Sequence, residues 1–295
     1  MPSTIVFNQS NIVGSDNNTL VYQFPSSVNF NHHAVAVESI SVNYSWVNIS
    51  TALNNNSFQY VWYEPAGAVT YTVTFEDGLY ELSDLNSRIQ FEMIKNGHYL
   101  INAQNQNVYF FEFIVNATRF AFQLNTFPVP TSADFATATY AGWTTPVANP
   151  AGGTAAWVGF PTQNFNPQVN LLANNFYKIL GFPNLFSSSA NLGVNTNLSY
   201  LSTTAPAIQP NTNVYLSMSN ISNPYANPSS IIHNLVVQGA FGATITDKPN
   251  EFAWNKLIEG QYHQFRIQFL GSDLQPLKIL DPDIVIVLLI KEIDE

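Results

Sequence analysis

The chain has 295 residues, 46% hydrophobic and 14% aromatic, enough apolar material for one large domain or two ordinary ones. Only 9% are charged, the net charge is −10, and the nine basic residues never cluster, which argues against nucleic-acid binding, because that needs a basic patch to release counterions. There is no cysteine, so neither a disulfide framework nor a thiolate metal site is available. Asn, Ser, Thr and Gln dominate the polar residues. Such groups are dehydrated without a charge partner, so the surface reads as one largely occupied by neighbours.

The opening "MPSTIVFNQS" has no basic n-region and no long apolar run, so a secretory signal is not expected there. The Asn-x-Ser/Thr sites at Asn43, Asn48, Asn116 and Asn220 then read as a by-product of composition. A first strand is expected over 20–24 and a longer one over 34–47. In the second, Val35 and Val37 are odd-numbered while Ile40, Val42, Tyr44 and Trp46 are even-numbered. A side-chain period of two absorbs that change only with an extra residue, so a β-bulge is predicted near Glu38–Ser39. Phe58, Tyr60 and Trp62 alternate over 57–63, and Val69, Tyr71, Val73 and Phe75 over 69–75.

"YELSDLNSRIQFEMIKNG" reads as a helix: Leu82, Leu85, Ile89 and Met93 share a stripe, Ser83 or Asp84 caps the start, and Gly97 takes the left-handed C-terminal position. Strands follow over 108–115 and 118–124, the latter with Phe120, Phe122 and Leu124 on one face. From 126 to 168 no period survives. A structureless loop of that length is uncommon inside a compact domain, so this stretch reads as a projecting, irregular or β-rich insertion. Its Trp143, Trp157, Phe160 and Phe165 are candidate exposed contacts for a receptor. "LLANNFYKILGFP" places Leu172, Phe176, Ile179 and Leu180 on a second helical stripe, stopped by Gly181 and Pro183. A second irregular stretch covers 186–210, and strands are expected over 213–218, 231–237 and 263–270.

The last element, 284–291, opens with seven apolar residues, Ile284 to Ile290. A membrane-spanning helix needs roughly 20, so no transmembrane segment is expected. The run is rich in Ile and Val and reads as a strand covered on both faces and paired on both edges. No βαβ rhythm appears. The expected fold class is therefore all-β: an antiparallel jelly-roll β-sandwich with two short helices and an insertion. Residues 1–125 and 169–295 would be the two parts of one discontinuous domain, with 126–168 projecting from it.

No specific catalytic constellation emerges. His32 and His33 are adjacent, so their side chains diverge on a strand, and His98, His233 and His263 stand alone. There is no Gly-x-Ser-x-Gly elbow, and "QGAFGATIT" lacks the Lys-Ser/Thr of a phosphate loop. Glu76–Asp77 and Asp281/Asp283 read as turn carboxylates, with a calcium ion as the alternative. No catalytic residue, metal or cofactor is assigned.

Four segments, in this order, resemble the minor capsid, or penton, protein of virophages and polinton-like viruses: "NHHAVAVESISVNYSWVNIS", "GLYELSDLNSRIQFEMI", "NNFYKILGFP" and "EGQYHQFRIQFLGSDLQPLKILDPDIVIVLLIKE". The residues that carry the resemblance are Gly78, Tyr80, Asp84, Leu85 and Asn86; Leu180, Gly181 and Phe182; and Leu289, Ile290 and Lys291. The resemblance covers about two thirds of the chain, and 126–168 lies outside it. It implies a single jelly roll forming homopentamers at the vertices of an icosahedral virion, surrounded by major capsid protein trimers, made in the host cytoplasm, with no enzymatic activity and no cofactor. The alternative is a carbohydrate-binding jelly roll, with Trp143 and Trp157 stacking on sugar rings.

Overall fold

The structure, a computed structural model, describes residues 2–208, 211–239 and 241–293. The chain forms two compact units, Met1–Val47 with Gln209–Glu295, and Asn48–Ile208. It starts the first unit with β1 (Ser3–Phe7), β2 (Thr19–Asn29) and β3 (His33–Asn43). It then builds the second with β4 (Ser57–Glu64), β5 (Gly67–Thr74), α1 (Leu82–Asn96), β6 (Leu100–Ile101), β7 (Asn107–Val108), β8 (Phe111–Asn116), β9 (Ala121–Thr126), α2 (Ser132–Phe135), β10 (Gln168–Asn170), α3 (Phe176–Leu180) and β11 (Leu198–Leu201). It returns to the first with β12 (Asn213–Met218), β13 (Ile231–Val236), β14 (Thr244–Asp247), β15 (Asn255–Lys256), β16 (Gln261–Leu270) and β17 (Ile284–Glu292).

The first unit is the jelly roll. One sheet runs β1-β17-β3-β14, with the short β15 also on β3; the other runs β13-β12-β16-β2. Among the main strands of this unit, the first pairs with the last and the second with the next to last, as a doubly wound Greek key requires. All pairings are antiparallel. Alternation supplies the inner faces. Ile284, Ile286, Leu288 and Ile290 of β17 face inward with Val35, Val37, Ile40 and Val42 of β3, all buried. Leu216 and Met218 of β12 and Phe265, Ile267 and Phe269 of β16 supply the facing layer. The predicted bulge is present: Val287 pairs with Ser39 and Leu288 with Val37, which leaves Glu38 as the extra residue. β17 is paired on both edges, by β1 and β3. Its outer face is only partly covered, with Leu289 buried and Val285 36% exposed.

The second unit is inserted between β3 and β12. It holds three small sheets, β10-β4-β5, β11-β9-β8 and β6-β7, packed with α1 and α3. Phe58, Tyr60 and Trp62 from β4, Phe111 and Phe113 from β8, Leu85, Ile89 and Met93 from α1, and Phe176 from α3 share one aromatic-rich core.

This arrangement corrects the division expected from sequence. The insertion is not 126–168 but the whole of Asn48–Ile208, and 48–125 and 169–208 do not belong to the jelly roll. The irregular stretch does not project as a separate piece. Val129 and Phe165 within it are fully buried in the core of the second unit, and their backbones pair. It is irregular as expected, with only α2, 3-10 turns and isolated bridges. The expected stretch 186–210 ends on Gln209 and Pro210, outside the described residues.

α1 matches its prediction closely. Asp84 accepts a hydrogen bond from the Glu81 amide at 2.8 Å, and Gly97 closes the helix at φ 70°. α3 is shorter than its stripe, because the Asn pair before it bonds elsewhere. The Asn174 amide donates to Ser57 O at 2.7 Å and accepts from the Phe176 amide, and the Asn175 amide donates to Leu53 O at 2.9 Å.

Candidate functional site

The motif residues hold structural positions. Gly78 lies in a bridge with Ile49, exchanging hydrogen bonds of 2.9 and 3.1 Å. Tyr80 packs its ring on Phe75 at 5.4 Å and donates its hydroxyl to Glu76 O at 3.0 Å. Its backbone is clamped by Asn48, whose Oδ1 accepts from the Tyr80 amide and whose Nδ2 donates to the Tyr80 carbonyl, both at 2.8 Å. Asn86 treats Phe113 the same way, at 3.0 and 2.7 Å. Each Asn amide therefore stands in for a neighbouring strand and satisfies backbone groups that would otherwise be orphaned. Part of the Asn richness thus works inside the fold: Asn48, Asn55 and Asn166 are buried, and all three bond to backbone.

Leu85 and Leu180 are fully buried, and Phe182 packs against Phe186 at 4.7 Å. Gly181 ends α3 at φ 75°, and its carbonyl accepts from the amides of Thr203 and Thr204. A Cβ at this position would lie 2.3 Å from Thr204 O. In the jelly roll, Leu289 and Ile290 are buried in β17 and Lys291 places its ammonium over the Trp254 ring at 4.2 Å.

The predicted contact residues separate. Trp143, Trp157 and Phe160 are half-buried. They join Phe135 and Tyr140 in one chain of rings, with centroids 4.8 to 5.7 Å apart. Phe165 is not an exposed contact. It is fully buried with its ring edge-on to Trp62 at 5.1 Å, because its backbone pairs with Val129 and directs it into the core.

His98 was invisible as more than a lone histidine. It is fully buried, stacked on Trp62 at 4.3 Å, edge-on to Tyr71 at 4.6 Å, and its Nδ1 shares a 2.8 Å hydrogen bond with the Tyr60 hydroxyl. Burial pushes its pKa down to about 3 and pushes the Tyr60 hydroxyl well above its ordinary range. Tyr71 is raised by burial and by the Glu64 carboxylate that its hydroxyl bonds. The site is an aromatic cage around a neutral imidazole.

The carboxylate pairs serve turns. Asp77 accepts from the Thr51 amide at 2.8 Å. Asp281 accepts from the Asp283 amide at 2.9 Å and from the Asn43 amide group at 2.8 Å, which together hold its pKa below the usual carboxylate value. Among the described residues, no group of three or more His, Asp or Glu is placed to hold a metal ion, and no helix is long and apolar enough to cross a membrane.

Phe120 overturns a reading made from alternation. Expected on one inward face with Phe122 and Leu124, it is 84% exposed while they are buried. A 3-10 turn over Ala117–Arg119 ends with Phe120 in the left-handed conformation, which breaks the period at that residue.

No protein-family model matches the chain, and no curated protein does. Among solved structures, the selenomethionine-labelled penton protein of mavirus is similar over 99% of each chain at 12% identity, with a TM-score of 0.44. A chain in the 3.5 Å cryo-EM structure of the Sputnik virophage is similar over 99% of this chain and 98% of its own, at 10% identity and a TM-score of 0.36.

Proposed function

We propose that the chain is a structural capsid protein, a penton that closes as a homopentamer at the vertices of an icosahedral double-stranded DNA virus. Trimers of a major capsid protein would surround it in the virion, after synthesis in the host cytoplasm. The observation that carries this reading is the place each motif takes in the fold. A jelly roll is interrupted after β3, and the motif residues Gly78 to Asn86 and Leu180 to Phe182 make the caps, clamps and stops of the inserted unit. Leu289 to Lys291 finish the strand held between β1 and β3. The reading assigns no catalytic step and no cofactor. Its partners are other protein chains, and a surface with 9% charged residues suits that use. Electron microscopy of the purified chain tests it: five-fold rings are expected, and a strict monomer at every salt concentration and pH removes the pentameric vertex.

A carbohydrate-binding role is the second reading, because jelly rolls also build lectins and, in the inserted unit, the half-buried rings of Trp143, Trp157 and Phe160 are linked through Tyr140 and Phe135 into one chain of rings. A glycan array separates the two. Binding that disappears in Trp143→Ala, with no rings by microscopy, favours it.

A further inference from the structure

On the outer face of the jelly roll, a β-bulge sets a histidine beside an arginine. β16 pairs Tyr262 with Val28 and Gln264 with Gln23, so His263 has no partner in the ladder and stands opposite an arc of β2 at 24–27. Strict alternation would send His263 inward with Phe265 and Ile267; the bulge turns it out, and it is exposed along with Gln264 and Arg266. These three border a cleft of about 400 Å³ with Ser219, Asn220 and Tyr262, and no Asp or Glu lines it. The side chains of Arg266 and His263 make no hydrogen bond or ion pair among the described residues. Asp16 borders a neighbouring cleft that Arg266 also lines, and no ion pair joins those two. The two amides complete the pattern. Gln264 Oε1 accepts from Gln23 Nε2 at 2.9 Å, and Asn220 Oδ1 accepts from the Ser219 hydroxyl at 3.2 Å. Their oxygens are engaged while their NH2 groups bond to nothing among the described residues, so what the cleft has to offer is donors.

We propose that this cleft is an oxyanion-binding site that takes a sulfate or phosphate group, held by the Arg266 guanidinium together with the amides of Gln264 and Asn220 and the ring of His263. A guanidinium and neutral N–H donors with no competing carboxylate are the chemistry that recognises such a group. Volume sets the kind of molecule that carries it. A cleft of about 400 Å³ is of the size of small-molecule sites and exceeds what a single ion fills, so the group is expected on a sugar-sized ligand that also rests on the half-buried Tyr262 ring. The net charge of −10 opposes an anion at long range. That repulsion is screened at about 0.15 M salt, where the Debye length is roughly 8 Å, whereas the contacts to Arg266 act within hydrogen-bond distance. The site stands independently of the capsid reading.

The test is isothermal titration calorimetry of the full chain at constant ionic strength, with a thermal melt for each variant. The probes are a sulfated monosaccharide, the same sugar phosphorylated, the unmodified sugar and inorganic sulfate. At least one of the two charged sugars is expected to bind at least tenfold tighter than the unmodified one. Arg266→Gln is expected to weaken that binding at least tenfold without moving the melt, because the side chain is exposed. Gln264→Glu keeps an oxygen for Gln23 and replaces only the free NH2 by an acceptor, so it is expected to weaken binding as much; it decides the matter if Arg266→Gln misfolds. Inorganic sulfate that binds as tightly as the charged sugars supports the oxyanion site and makes the free ion its ligand. Three results overturn the site: no binding of any charged probe, equal binding of the unmodified sugar, or binding that persists unchanged in folded Arg266→Gln and Gln264→Glu chains.

Discussion

His98 is held neutral by its cage, and that has a signed consequence for stability. Its folded pKa, about 3, lies below the unfolded value of about 6.5. Below that unfolded value the denatured chain takes up a proton that the folded chain refuses. Stability is therefore full above about pH 6.5 and is lost as pH falls toward 3; by pH 5 the loss is about 2 kcal/mol. His98→Gln is expected to flatten the pH dependence of stability between pH 4 and 6, as read by urea melts at each pH. An unchanged slope would move the acid sensitivity to other groups. Asn48 works at the same scale by a different route. It is 2% exposed and satisfies two backbone groups of Tyr80 as well as the Ile208 carbonyl. Asn48→Ala leaves these buried groups without partners, and a loss of about 2–3 kcal/mol is expected in the same urea melts. Neither role was legible beforehand. The sequence marks His98 only as a solitary histidine and Asn48 only as part of a sequon, because what each does depends on partners far along the chain.

At the scale of elements, the legible features were those with local causes. The bulge at Glu38 follows from a change of phase within β3, and the caps of α1 follow from Asp84 and Gly97 at its ends. The position of β17 between β1 and β3 follows from its apolar content. What could not be read was which strands share a core. Phe58, Tyr60 and Trp62 alternate just as Phe265, Ile267 and Phe269 do, yet they pack in different units. Alternation reports that one face is buried and says nothing of what covers it. β1 and β14 were missed because runs of five and four residues carry too little period. Gly181 shows how strict a local stop can be. At φ 75° any side chain is strained, and a Cβ would meet the Thr204 carbonyl at 2.3 Å, which is backbone and cannot swing aside. Gly181→Ala is expected to destabilise the second unit by about 3 kcal/mol or more, measured as a shift in its denaturant midpoint. A shift below about 1 kcal/mol would show that the Thr203–Thr204 backbone yields easily.

For the whole molecule, the insertion is the feature that decides what can be removed. Its two ends meet: the Asn48 side chain donates to the Ile208 carbonyl at 2.5 Å. A unit whose ends are that close leaves only a short gap when it is cut out, and closing a short surface loop costs little more than closing a long one. The jelly roll, for its part, keeps every pairing of its two sheets when Asn48–Ile208 is absent, because β1-β17-β3-β14 and β13-β12-β16-β2 draw no strand from the insertion. Replacing 48–208 by a short Gly/Ser linker is therefore expected to leave a chain that melts cooperatively with a β-sheet circular-dichroism spectrum. The smaller cut that the irregular composition invites, removal of 126–168 alone, has the opposite expectation. It takes Val129 and Phe165 out of an aromatic core and Asn166 from the Thr196 carbonyl, to which its side chain donates at 3.2 Å. Loss of one large buried aromatic alone costs about 3–5 kcal/mol, and a unit of ordinary stability has little more than that to lose. Limited proteolysis compares the two deletions directly: the long one is expected to resist and the short one to be cut within 48–208. A long deletion that is digested like an unfolded chain, beside a short one that resists, would reverse the assignment of the core.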